Sequence, residues 1–210
     1  MEDVFWAAGP KKDQTVTSPA ATPQMPAAAD KNNVVETVNN KIYFYSEVTR
    51  PKVVALNKSL SNLNINLINQ ANLLQQDVNS KIFLHINSYG GSVFAGLAAM
   101  DYIKSTDIPV VTVVEGCAAS AATLMSVVGK HRVIRRNSFM LIHQLSSAMW
   151  GKYEELRDHM ENNDLFMRII TEVYEEHTKI PKRKLKEILK RDLWFDAETC
   201  LDYGMVDEII

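Results

Sequence analysis

The sequence predicts an α/β fold. Three apolar runs, at residues 81–86, 110–114 and 139–142, have the length of strands and are bounded by small or polar residues. Stretches in which apolar residues recur at helical spacing follow them, at 93–104, 121–128 and 150–177, and strands alternating with helices belong to α/β architecture.

Residues 1–33 differ from the rest. Pro10, Pro19, Pro23 and Pro26 stand among alanine, serine and threonine with little apolar periodicity, so this segment is expected to be a flexible tail. The folded domain is expected over 34–210. A strand is predicted at 41–45, a helix at 49–60, and an asparagine-rich segment, helical or irregular, up to residue 77. The strand at 81–86 ends in Asn87-Ser88-Tyr89-Gly90-Gly91-Ser92 and leads to the helix at 93–104. The apolar run 110–114 leads into the small-residue turn Gly116-Cys117-Ala118-Ala119-Ser120 and then the helix at 121–128. Beyond the strand at 139–142, Leu156, Met160, Met167, Ile170 and Tyr174 predict a long amphipathic helix over 150–177. The Lys182-Arg183-Lys184 cluster fits a solvated helix face, Asp196 an N-cap and Gly204 a helix stop.

The turn before 121–128 places Ser120 at a helix N-terminus, where unpaired N–H groups favour negative charge. A serine hydroxyl needs a general base within hydrogen-bond reach and a third group to orient that base. His143 stands at the end of the 139–142 strand, and Asp192 follows Lys190-Arg191 at the end of a basic helix. Taken singly, each also fits an ordinary role: a small core residue, a strand-end histidine, a turn carboxylate. The glycine pair Gly90-Gly91 permits positive φ and close backbone approach, and its N–H groups would suit an oxyanion hole. The turn lacks both the GxGxxG spacing and the Gly-Lys-Ser/Thr ending of nucleotide motifs. His85, His131, His159 and His177 show no motif and read as structural or surface residues.

Together these segments resemble the proteolytic subunits of the Clp protease, the ClpP family. The resemblance runs through Asn87-Ser88-Tyr89-Gly90-Gly91-Ser92-Val93, Gly116-Cys117-Ala118-Ala119-Ser120, Met140-Leu141-Ile142-His143-Gln144, Arg191-Asp192 and Tyr203-Gly204-Met205-Val206-Asp207, in unbroken order over residues 41–210. It implies a crotonase-like, ClpP-type α/β fold of repeated strand-turn-helix units, with 150–177 as a protruding handle helix that interdigitates two rings. It implies Ser120 as nucleophile, His143 as general base, Asp192 as orienting acid, and the Gly91 and Ala121 N–H groups as oxyanion donors. It further implies peptide and unfolded-protein substrates, a homo-oligomer of stacked rings, an AAA+ unfoldase partner, and no cofactor or metal.

The departures are specific. Tyr89 stands where the family usually has Pro, and Ala121 where it usually has a large residue; both sites supply backbone, so the chemistry is expected to survive. Residues 145–151 replace a Pro and Gly-rich stretch, and an exposed strand edge there would bind peptide by strand addition. Lys190 replaces an acidic neighbour of Arg191, the residue used for contact across the rings. Phe83 and His85 occupy a Tyr-x-Tyr pattern that lines the family's unfoldase groove, which predicts weakened or retuned docking.

Composition narrows the function classes. With 210 residues and 46% hydrophobic content the chain can bury one sizeable core, and a net charge of −2 gives no electrostatic footprint for nucleic acid. No apolar run reaches the roughly 18 residues that span a bilayer. The two cysteines, Cys117 and Cys200, have no CxxC spacing, and no charged n-region precedes an apolar h-region, so a reducing, cytoplasmic setting is expected. Rival readings are a viral-type maturation protease on the same fold, with the tail as pro-segment, an inactive or regulatory ring subunit, and an acyl-CoA enzyme of the crotonase type. All three triad residues are present, which disfavours an inactive subunit, and nothing beyond the shared fold points to coenzyme A.

Overall fold

The computed structural model describes residues 34–210 except Gln76 and Val78; the tail expected at 1–33 lies outside the described residues. These residues form a seven-stranded sheet. Strand β1 (Val34–Val38) pairs antiparallel with β2 (Lys41–Tyr45), and β3 (Ile82–Ser88), β4 (Val110–Ala119), β5 (His131–Ile134) and β7 (Glu208–Ile209) continue the sheet in parallel. Strand β6 (Phe139–Leu141) pairs with the far end of β4, beyond the stretch that pairs with β5.

Side chains alternate across a strand, and that period of two divides the sheet into unlike faces. Ile42 and Phe44, Ile82, Leu84 and Ile86, Val110 and Val114 join the main core with the helices. Helix α1 (Arg50–Leu73) presents Val53, Leu56, Leu60 and Leu63 to it at helical spacing. Helices α2 (Val93–Lys104) and α3 (Ala121–Ser126) add Ala99, Ile103, Leu124 and Met125. On the opposite face Phe83 packs with Val111, Val113 and Val133 in a separate small cluster.

Helix α1 outruns its expected end at residue 60. Leu67 and Ile68 extend its apolar stripe against the core, and Asn64 accepts a hydrogen bond from Ile108 N (2.9 Å), so asparagine serves here as a tie to the loop before β4. Strand β4 also runs on, through Gly116 to Ala119, because those small residues pair with β6 instead of turning. Helix α3 is accordingly compact, ending at Ser126. Strands β1, β5 and β7 were not predicted. β5 carries His131 and Arg132 in a four-residue run, β7 is two residues long, and β1 buries none of its side chains fully.

The long helix α4 spans Tyr153–His177, starting three residues after its expected position. Of the predicted stripe, Ile170 and Tyr174 are buried together with Val173, whereas Met160 is 52% exposed. The first half of α4 therefore lies off the core. Helix α5 (Lys182–Ile188) buries Leu185 and Ile188 and leaves its lysines and arginine in water. Helix α6 (Ala197–Asp202) is N-capped by Asp196, which accepts from Thr199 N (2.9 Å), and Gly204 ends it at φ 60°.

Asp207 closes the fold. Its carboxylate accepts from Arg132 Nε (3.0 Å), Arg132 N (2.9 Å) and Arg132 Nη2 (2.5 Å), while Arg132 Nη1 donates to His177 O at the end of α4. The hydrogen bonds from Arg132 hold the Asp207 carboxyl below the usual carboxylate range. A depressed folded-state pKa gives stability that is present above the unfolded value and lost as pH falls through the folded value. Asp207→Asn should cost about 1 kcal/mol near neutral pH, discounted for partial exposure, and this difference should shrink below about pH 4. Denaturant melts of both proteins between pH 3 and 7 provide the check.

Candidate active site

Strand register assembles the site. In the β4–β6 ladder Ala118 faces Met140 and Ala119 faces Leu141, so Ser120 and His143 emerge side by side just past the paired stretch. Ser120 N donates to Leu141 O (2.9 Å) and fixes the end of that ladder. On the other edge of β6, Met140 exchanges both backbone hydrogen bonds with Phe195 (2.9 and 2.8 Å), which brings the segment carrying Asp192 alongside.

The three predicted site residues meet. Ser120 Oγ lies 2.8 Å from His143 Nε2, and His143 Nδ1 lies 3.0 Å from Asp192 Oδ1. A carboxylate only accepts, so Nδ1 carries the imidazole proton and Nε2 is left to accept from the serine hydroxyl. Asp192 sits in the open, its side chain 78% exposed, and the His143 side chain is 23% exposed. Cys117, three residues before Ser120, is buried, and burial pushes its thiol up, so it stays protonated at neutral pH.

Ser120 occupies the N-cap position of α3, yet its side chain caps nothing. An N-cap serine ordinarily accepts from an N–H one turn on. Here φ 54° and ψ −127° turn Oγ away from the helix and toward the imidazole. Such a conformation costs a non-glycine residue on the order of 1–3 kcal/mol and persists only where neighbours enforce it. Thr123 is one of them: its N and its Oγ1 both donate to Ser120 O (2.9 and 2.6 Å). That leaves Thr123 Oγ1 with only lone pairs for Tyr174, so the buried Tyr174 hydroxyl donates to it (2.6 Å).

The Gly-Gly turn abuts the serine. A Cβ on Gly90 would stand 2.6 Å from Ser120 Cβ, one on Gly91 would stand 2.5 Å from Val48 O, and the two residues have φ 99° and 147°. Glycine is required at both by space and by backbone angle. The turn is pinned to the chain after β2 by Val48 N to Gly90 O and Ser92 N to Val48 O, both 2.8 Å. Among the described residues neither the Gly91 N–H nor the Ala121 N–H donates to a protein acceptor, so both are free to bind a developing oxyanion. A cleft of about 520 Å³ opens beside the turn, lined by Tyr45, Asn87, Tyr89 and Gly91 among others. A larger one of about 640 Å³ lies between α5 and Tyr203 and includes none of the three site residues.

One expectation changes. Residues 145–151 form no strand edge: their backbone is irregular, and Leu145 N (3.0 Å from Met167 Sδ) and Ser147 Oγ (2.9 Å from Asn163 Nδ2) lean on α4. His85 is a buried structural histidine: it stacks on Tyr43 at 4.7 Å and faces Glu115 at 3.1 Å, off hydrogen-bond alignment. Glu115 also accepts from Tyr45 and from Arg135 (3.0 Å). Burial alone would push the Glu115 carboxyl up, but these partners outweigh it and hold it below its usual range.

Sequence reasoning missed Thr123 and gave Tyr174 only a packing role; the available signal was a hydroxyl three residues after Ser120. Among the described residues no cluster of three or more His, Cys, Asp or Glu is placed to hold a metal, and no helix is long and apolar enough to cross a membrane. Thr123→Val should cost about 1–3 kcal/mol, because it strands the buried Tyr174 hydroxyl and removes one donor to Ser120 O. Tyr174→Phe, which removes the donor itself, should cost less. Chemical denaturation of the two variants orders them.

A family model described as Clp protease matches residues 36–210. The chain is 30% identical over 189 residues to ATP-dependent Clp protease proteolytic subunit 1 of Streptomyces coelicolor, covering 89% of this chain and 85% of that one. It is 36% identical over 140 residues to proteolytic subunit 3 of Rhodococcus jostii, covering 66% of this chain and 69% of the relative. A solved ClpP1 variant from Listeria monocytogenes superposes with a TM-score of 0.71 at 25% identity, covering 82% of this chain and 91% of that one. With sheet, family match and relatives in agreement over the described residues, the chain belongs to the Clp protease family of serine endopeptidases and is a Clp-type peptidase core.

Proposed function

We propose that Ser120, His143 and Asp192 carry peptide-bond hydrolysis in a protease domain spanning residues 34–210. The observation that carries this reading is the pair of contacts on one imidazole, 2.8 Å to Ser120 Oγ and 3.0 Å to Asp192 Oδ1. His143 Nε2 takes the hydroxyl proton as Oγ attacks the scissile carbonyl, and the Asp192 carboxylate stabilises the imidazolium that results. The Gly91 and Ala121 N–H groups bind the oxyanion, each worth about 3 kcal/mol in comparable sites. The imidazolium then protonates the leaving amine, an acyl-enzyme remains, and a water activated by the same base releases it.

Members of the family act on proteins as oligomeric rings, and the exposed first half of α4, with Tyr153 at 73%, Met160 at 52% and Leu165 at 39% exposure, supports a handle that packs between two stacked rings. Interior active sites would admit short peptides alone. Folded substrates would need an ATP-driven unfoldase, since a native domain resists threading by several kcal/mol. The groove for its docking loop is the second face of the sheet, where His85, Glu115, Arg135 and Tyr45 form a polar network beside Phe83 and Val113. Charged groups there would weaken the docking of an apolar loop. Two buried thiols without a disulfide fit a cytoplasmic setting.

Ser120→Ala should lower turnover of a short fluorogenic peptide by several orders of magnitude while light scattering returns the same assembled size, well above the 23.7 kDa monomer. A fluorophosphonate should label Ser120 in the parent protein, as peptide mapping reads. Wild-type turnover in the Ser120→Ala variant would remove the assignment. For the groove, degradation of a tagged folded substrate with a Clp unfoldase and ATP should be slow and should rise in His85→Tyr. Robust degradation unchanged by that substitution would sink the retuned groove, and none with any unfoldase would favour a maturation protease.

A further inference from the structure

The segment that carries Asp192 has little to hold it. Its ends are fixed, at Leu189 O, which accepts from Gln144 N (2.6 Å), and at Phe195, which exchanges both bonds with Met140. Between them residues 190–194 are all exposed, with one backbone bond, from Arg191 N to Ile188 O (2.9 Å). Among the described residues two side-chain interactions leave this span, one polar and one aromatic. The polar one is Asp192 to His143 (3.0 Å), and the aromatic one is Trp194 to Tyr89. The two rings stand 6.4 Å apart at 86°, within the preferred edge-to-face range.

The aromatic contact joins the two halves of the site. Tyr89 directly precedes Gly90-Gly91, and Trp194 follows Asp192 by two residues. Tyr89 is 80% and Trp194 45% exposed, so neither ring serves the core. A hydrogen bond to a carboxylate as open as that of Asp192 is weak by itself, because water competes for both partners.

We propose that the Tyr89–Trp194 contact positions Asp192, clasping its span to the Gly-Gly turn so that the carboxylate stays on His143 Nδ1 and the base stays in register with the oxyanion donors. Both are positioning residues, since neither touches the reacting atoms. Without the clasp the carboxylate spends less time on the imidazole, which lowers the basicity of Nε2 and leaves the ring free to turn. The rate of the chemical step then falls, and substrate binding is spared.

The inference rests on the Ser120, His143 and Asp192 reading, and the test separates the two. Steady-state hydrolysis of a short fluorogenic peptide is measured from pH 5 to 9 for the intact chain and for Tyr89→Ala, Trp194→Ala, Tyr89→Phe, Asp192→Asn and Asp192→Asn with Tyr89→Ala. Tyr89→Ala and Trp194→Ala read the contact from its two sides, so a folding defect in one leaves the other. Each should lower kcat about three- to tenfold with KM within about twofold, and should move the acid limb of kcat/KM to lower pH. Tyr89→Phe, which keeps the ring, should restore the parent profile. In the Asp192→Asn background Tyr89→Ala should change nothing further. A raised KM with unchanged kcat and pH profile, or the same loss in both backgrounds, would overturn positioning and make the pair a substrate wall. If Asp192→Asn alone left kcat intact, the triad reading would fall with it.

Discussion

Three residues of strand decide where the candidate site stands. Strand β6, Phe139–Leu141, is hydrogen-bonded on both edges: to the end of β4 on one side and to Phe195 on the other. Ser120, His143 and Asp192 hang from those three strips of backbone. The side-chain period of a strand is two, so a one-residue slip of β6 would turn His143 to the opposite face. Such a slip would also drive the buried Met140 out of the core and Phe139, 44% exposed, into it. Hydrophobic burial and the register of the candidate site are thus one constraint.

The serine is held against its own preference. Its positive φ is enforced from four directions: Leu141 O on its N–H, Thr123 on its carbonyl, α3 beyond it, and Gly90 pressed against its Cβ. Strain of this kind is inexpensive once the surroundings are rigid, and the buried Tyr174 hydroxyl anchors Thr123 from the opposite helix. The first half of α4 stands off the core while Tyr174 near its end bonds Thr123, which in turn bonds Ser120 O, so one helix serves both the outer surface and the candidate site.

Much of the site was legible because chemistry restricts residue type. Only glycine fits the turn at Gly90-Gly91, and only a small set of residues can serve as nucleophile, base and orienting acid; the spacing then spoke through the motif. The extension of β4 to Ala119 was not legible, because Gly116, Cys117, Ala118 and Ala119 read as a turn whenever their pairing partner is unseen. The short β7, the polar β5 and the thinly buried β1 owe their form to neighbours far away in sequence, such as Val133 beside Glu208. The same holds for Asn64, whose amide reaches the loop before β4, and for Tyr89 and Trp194, which meet only once Phe195 is pinned. The stripe on α4 announced the helix but not which of its turns reach the core, since apolar spacing does not say which surface will be covered.

Both cysteines are enclosed by the fold. Burial pushes the Cys200 thiol up to about 12 and raises that of Cys117 as well. Thiolate is the species of cysteine that reacts with alkylating reagents and oxidants, so these two thiols are nearly silent toward thiol reagents at neutral pH. A cysteine introduced on the exposed half of α4 or beside the Gly-Gly turn would therefore carry a spectroscopic label almost alone, and the unmodified chain would serve as its own blank.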